Sequence, residues 1–171
     1  MKWNKLEEAD WLFRKTVRRF VKERDKILIE GITLPALLVL HKITRDGAQR
    51  LGDLAEQLDF TSGAITALCD KLEEKKYAIR RKGEDRRTVW LDITVEGRSM
   101  CMRNENIGSR CIAILFDGLT EAELDIQIKV YQQIFDNLKC FSKEILDLAK
   151  KNKAASFPTE KSTPEHTFLT Y

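Results

Sequence analysis

Apolar residues recur in steps of three and four along most of the chain, and in steps of two over one short stretch. Near the start, Phe13, Val17, Phe20, Val21 and Ile27 form an apolar line with Lys15, Arg19, Lys22 and Lys26 around it, roughly at helical spacing. Next, Thr33 stands as an N-cap before Leu37, Leu40 and Ile43. Pro35 falls in that first turn, where a missing N–H costs little. Arg45-Asp46-Gly47 ends this second helix. Leu51, Leu54, Ala55 and Leu58 share one face of a short third helix. After an Asp59-Phe60 turn, Thr61 caps a fourth, in which Ile65, Leu68, Cys69 and Leu72 fall at i, i+3, i+4 and i+7. Two short helices joined so tightly make a helix-turn-helix.

The pattern then changes period. Ile79 to Arg81 reads as one strand, and Val89, Leu91 and Ile93 alternate with Trp90, Asp92 and Thr94 as a second. Gly83 sits where the hairpin between them needs a residue free to take positive φ. A two-stranded hairpin straight after a helix-turn-helix is a wing. Helical spacing returns from Val95 to about Asp117-Gly118, read as one helix. A last helix opens on Thr120 and Glu123, a capping box. Its Tyr131, Ile134, Leu138, Phe141, Ile145 and Leu148 step by three and four, with Leu124, Ile128 and Phe135 widening the stripe. A seam this long wants a partner helix, and a symmetric dimer supplies one. The predicted architecture is mainly α with a small β-wing. It comprises an N-terminal dimerisation helix (1–30), a winged helix-turn-helix domain (33–96), C-terminal dimerisation helices (97–150) and a flexible tail (151–171).

Charge sharpens this picture. From Lys71 to Arg87 there are eight basic residues against four acidic ones, a net +4, whereas the whole 171-residue chain carries only +3. The cationic excess therefore sits on the recognition helix and wing. Hydrophobic residues make up 43% and charged residues 33%, which suits a soluble, helix-rich chain. No apolar run is long enough to cross a bilayer, and the N-terminus has charges scattered through it with no apolar signal core, so a cytoplasmic protein is expected. Cys69, Cys101, Cys111 and Cys140 lack metal-ligand spacing, and only His41 and His166 accompany them. Neither a metal site nor a disulfide scaffold is expected, and no cofactor. Cys69 and Cys111 align with apolar stripes and read as core, while Cys101 and Cys140 lie beside charged neighbours and read as surface.

The segments "TLPALLVL", "LGDLAEQLDFTSGAIT", "CDKLEEKKY" and above all "EDRRTVWLDITVEGR" resemble the MarR family of bacterial transcriptional regulators, over about residues 5 to 150. The resemblance implies a homodimer with recognition helices in successive major grooves of a palindromic operator and wing tips over the minor groove. It also implies possible switching by a small aromatic effector or by cysteine oxidation. Carried onto this sequence, Thr61, Ser62 and Gly63 present hydroxyls and N–H groups to phosphate, and Thr66 reaches a base edge. Lys71 adds charge behind them. Lys82 and Arg86, the latter supported by Asp85, occupy the wing tip, and Arg87 points along the strand toward phosphate. Tyr131, Ile134, Leu138, Phe141 and Ile145 carry dimerisation. Four features depart from the family pattern: Arg50 replaces a hydroxyl cap, Ala67 a basic residue, and Asp59 and Lys76 two glycines. The wing loop is also about a residue shorter than common. Trp3 and Trp11 read as packing, or alternatively as the lining of a ligand pocket at the dimer junction.

Two functions compete. One is a dimeric, sequence-specific double-stranded DNA-binding transcriptional regulator, in the repressor mould, modulated by a small ligand. The other is a winged-helix protein-interaction module without specific DNA binding. An enzyme is not expected, because no nucleophile–base pattern, phosphate-cradling glycine loop or metal spacing is present in the sequence.

Overall fold

The computed structural model describes residues 3–83 and 88–155, and divides the chain after Ala113 into two units. In the first, helix α1 (Trp3–Arg24) carries exposed Leu6, Leu12, Phe13, Val17 and Phe20. Strands β1 (Leu28–Ile29) and β2 (Ile32–Thr33) pair antiparallel through Glu30 and Gly31, with φ of 49° and 82°. Two central residues at positive φ are the signature of the tight turn that matches strand twist. This hairpin escaped the sequence reading, since two-residue strands show no periodicity.

Helix α2 (Leu34–Asp46) is the centre of the core. Thr33 accepts the Ala36 N–H at 3.4 Å, Pro35 lies in the first turn, and Ala36, Leu37, Val39, Leu40 and Ile43 are buried. Packed with them are Leu54 of α3 (Leu51–Gln57) and Ile65, Cys69 and Leu72 of α4 (Ser62–Glu74). Leu91 and Met100 complete the cluster. Each fully buried aliphatic side chain here contributes about 1.5–3 kcal/mol relative to staying exposed.

The wing corrects the two-stranded expectation. Strands β4 (Ala78–Lys82) and β5 (Val89–Ile93) pair as predicted, but β3 (Gln49–Arg50), just before α3, joins the other edge of β5, giving the order β3-β5-β4. Gly83 is not at the left-handed φ the hairpin was expected to require. Its need is close approach instead: a Cβ there would lie 3.0 Å from the Trp90 indole nitrogen and 3.3 Å from Thr88 Cβ.

Helix α5 (Val95–Arg103) is locked to the chain that leaves α4. The Thr94 hydroxyl donates to Lys76 O at 2.7 Å and accepts the Gly97 N–H at 3.0 Å. The helix expected to run unbroken from residue 95 ends at Asn104, and α6 (Glu105–Leu115) begins there. A residue far away in sequence meets the chain at this break. Asn104 Nδ2 donates to Glu30 Oε1 (2.8 Å) and Met100 O (2.9 Å), while Arg103 Nη2 donates to Glu30 Oε2 (2.7 Å). These hydrogen bonds, Arg103's first, hold the Glu30 carboxyl below its usual pKa. Two cysteine expectations also fail. Cys101 is buried, only 4% exposed, with its sulfur 3.5 Å from the Thr44 hydroxyl. Cys111 is half-buried, with its neighbours Ile112, Ile114 and Leu115 exposed.

The second unit contains α7 (Glu121–Ala154), opened by the predicted Thr120–Glu123 capping box. It continues four residues past Lys150, the end expected for the C-terminal helices.

Candidate nucleic-acid interface

The helix-turn-helix is joined by a glycine-type C-cap built without glycine. Asp59, at φ 55°, follows α3; Asp59 N–H donates to Glu56 O and Phe60 N–H to Ala55 O (2.8 Å). The same double hydrogen bond ends α4, where Lys76 takes φ 60°, its N–H donates to Glu73 O and Tyr77 N–H donates to Leu72 O. Both substituted glycine positions thus keep the conformation the glycine would have taken.

At the start of α4, the Thr61 hydroxyl accepts the Ala64 N–H at 3.2 Å and Thr61 O accepts that of Ile65 at 3.0 Å. The Ser62 and Gly63 amides, one turn too early for an intrahelical acceptor, point outward. Thr61, Ser62, Gly63 and Thr66 are all exposed, and a Cβ on Gly63 would meet no atom within 4 Å. The fold itself therefore does not require glycine there. Thr66 donates its hydroxyl proton to Ser62 O (2.8 Å), which leaves its oxygen lone pairs and methyl for a partner. It is an acceptor, not a donor, toward anything beyond the helix.

The basic residues are less free than their number in the sequence implies. Lys71 is held by both Glu74 oxygens at 2.8 Å. Arg81 pairs with Asp92 across the strands at 3.0 Å. Arg80 donates to Asp70 (2.6 Å), to Glu73 and to Thr66 O (3.1 Å). Partial burial works against its charge, but the two carboxylates outweigh that and raise its pKa. Lys82 is exposed at the end of β4, where Gly83 N–H closes the strand pair on Thr88 O at 2.9 Å. Asp85, Arg86 and Arg87 lie outside the described residues.

Sequence reasoning missed two features of this face. Arg50 has no cap hydrogen bond and sets its guanidinium over the Trp90 ring, 5.2 Å from the centroid. It borders an open groove shared by Leu51, Gly52, Asp53, Thr88 and Val89. The second is the Arg80 cluster itself. Neither has a periodic signal, because their partners lie on different elements. Thiol chemistry finds no support in the core: burial pushes the Cys69 thiol up to about 11 and raises that of Cys101 as well. Among the described residues no group of three or more His, Cys, Asp or Glu is placed to hold a metal ion, and no helix is long and apolar enough to cross a membrane.

Residues 32–89, from β2 to the start of β5, match the MarR family model. The chain is 26% identical over 128 residues to the HTH-type transcriptional regulator YpoP of Bacillus subtilis, covering 74% of this chain and 91% of that one. The fold is shared with the Staphylococcus aureus MepR–DNA complex (TM-score 0.67, 22% identity, 76% of this chain and 97% of that one). It is shared too with Bordetella bronchiseptica BpsR, whose DNA binding is regulated by 6-hydroxynicotinic acid (TM-score 0.64, 20% identity, 74% and 98%). Residues 32–89, which hold the helix-turn-helix and the wing as far as the first residue of β5, therefore carry a MarR family domain.

Proposed function

We propose that the protein is a cytoplasmic, dimeric regulator that binds a palindromic double-stranded operator as a repressor and is retuned by a small aromatic ligand. In this reading Thr61, Ser62 and Gly63 meet phosphate and Thr66 accepts from a base edge. Lys82, Arg86 and Arg87 extend the contact along the wing, Asp85 supports Arg86, and Lys71 adds a secondary contact while it stays paired with Glu74. The observation that carries it is the exposed first turn of α4, with two outward amides and a glycine the fold does not demand. Tyr131, Leu138, Phe141 and Ile145, exposed along α7, and half-buried Ile134 support a second copy as partner. That MepR has been captured on DNA and that BpsR responds to an aromatic acid support the two partner classes.

The ion pairs of Lys71, Arg80 and Arg81 favour the second reading, a protein-interaction module, since they reduce the charge free to meet phosphate. Salt separates the two. Neutralising phosphates releases counterions, so log affinity for DNA falls against log salt with a slope of about −0.9 per phosphate contacted. Genomic fragments retained by the purified protein at low and moderate salt are expected to share an inverted repeat with half-sites about one helical turn apart. No retention at either salt would overturn the DNA reading.

A further inference from the structure

We propose that Arg80 is a positioning residue that fixes the wing against the recognition helix and so sets the specificity of DNA binding; this rests on the DNA-binding reading above. Among the described residues, every hydrogen bond between α4 and β4 runs through Arg80. Its backbone N–H donates to Glu73 Oε1 at 2.7 Å, and its Nη1 donates to the other oxygen of the same carboxylate. Nη1 also reaches Asp70 Oδ1 (2.6 Å), and Nη2 reaches Thr66 O (3.1 Å).

The three acceptors fall at i, i+4 and i+7 on α4, so they line one face over two turns. A planar guanidinium touching three points along one helix fixes its rotation as well as its distance. Along β4 only Ala78 is buried, so beyond it the apolar core no longer holds the strand. Arg80 takes over there, two residues before Lys82.

The arrangement also argues that Arg80 is not itself a phosphate contact. Its side chain is 24% exposed, and both nearby carboxylates compete for its charge. Thr66 links the clamp to the DNA-facing turn, since its carbonyl accepts from Arg80 while its hydroxyl donates to Ser62 O. One guanidinium thereby ties the wing to the segment proposed to read bases.

The test uses the full chain and its Arg80→Ala, Arg80→Lys and Asp70→Asn variants. Each is titrated with a duplex selected by the unaltered protein from random-sequence DNA, and with a shuffled duplex of the same length. For Arg80→Ala, affinity for the shuffled duplex and its salt slope are expected to stay unchanged, while the selected duplex weakens about tenfold, the scale of one mismatched base pair. Arg80→Lys, with one ammonium for three acceptors, is expected to fall between. Asp70→Asn is expected to lower the same ratio even though it removes a negative charge.

Equal weakening on both duplexes with a shallower salt slope would make Arg80 a phosphate contact and overturn the proposal. Equal tightening by Asp70→Asn would do the same, and so would a lower melting temperature with the specificity ratio intact. If Arg80→Ala fails to fold, the other two variants carry the test. An unaltered protein with no preference between duplexes would overturn the DNA-binding reading and this proposal with it.

Discussion

At the scale of single residues, the backbone conformation outlasts the residue that usually supplies it. Lys76 sits at φ 60° because two hydrogen bonds, Lys76 N–H to Glu73 O and Tyr77 N–H to Leu72 O, close the end of α4 only in that conformation. The left-handed region costs a Cβ-bearing residue about 1–2 kcal/mol. Lys76→Gly is therefore expected to raise stability by about 1 kcal/mol in urea unfolding, less what the more flexible unfolded chain takes back. An unchanged midpoint would mean that the lysine side chain makes compensating contacts. Gly97 is the opposite case. Its φ is ordinary, but a Cβ would come within 2.0 Å of Tyr77 O, a backbone atom held by Thr94 N–H at 3.1 Å. Gly97→Ala forces α5 off the Tyr77 backbone between α4 and β4 and is expected to cost about 1–3 kcal/mol, as overpacking does. A melting temperature equal to that of the parent would show that α5 shifts freely.

At the scale of elements, α4 separates stability from recognition. Its inner face, Ile65, Cys69 and Leu72, is buried, while a Cβ added to Gly63 on the outer face would meet nothing within 4 Å. Alanine is the better helix former, so Gly63→Ala is expected to stabilise by about 0.5–1 kcal/mol. It is also expected to weaken DNA binding, because a methyl would stand where a phosphate must approach the amides. Thermal unfolding and a titration with the selected duplex measure the two effects on one sample. Unchanged affinity with the expected stabilisation would move the contact away from this turn. Three capped helix starts were legible in sequence, because a cap depends on neighbours three residues away. Thr33, Thr61 and Thr120 all accept the N–H three residues on, as predicted.

At the scale of the whole molecule, the apolar stripe of α7 stays exposed in the single chain. Thirty-four helical residues rise about 51 Å at 1.5 Å each. Within the chain Leu138, Phe141 and Ile145 remain about half exposed (49–51%). An apolar stripe this regular is costly in water, and the heptad spacing of Leu124, Tyr131, Leu138 and Ile145 suits a helix from a second copy. Leu138→Asp is expected to shift the molecular mass in light scattering from dimer to monomer at micromolar concentration. It should also cut affinity for a palindrome far more than for a single half-site, because two linked half-sites gain from effective concentration. A stable dimer after that change would place the seam elsewhere, α1 being the other helix with an exposed apolar line.

What the sequence by itself determined was whatever depends on near neighbours: helical and strand periodicity, the threonine caps, the helix-turn-helix and the two strands of the wing. Tertiary structure decided what depends on residues far apart. Strand β3 is two residues long and exists only because β5 offers it an edge. The break at Asn104 is met by the carboxylate of Glu30, 74 positions away. Cys101 is buried despite charged neighbours, because burial follows the face of α5 turned to α2 and not local composition. The positive charge that stood out in the sequence is partly balanced by carboxylates on other elements, Asp70 and Glu73 for Arg80 and Asp92 for Arg81. A linear count registers charge but not which carboxylates fold against it, since ion pairing is a property of distances that only the packed chain defines.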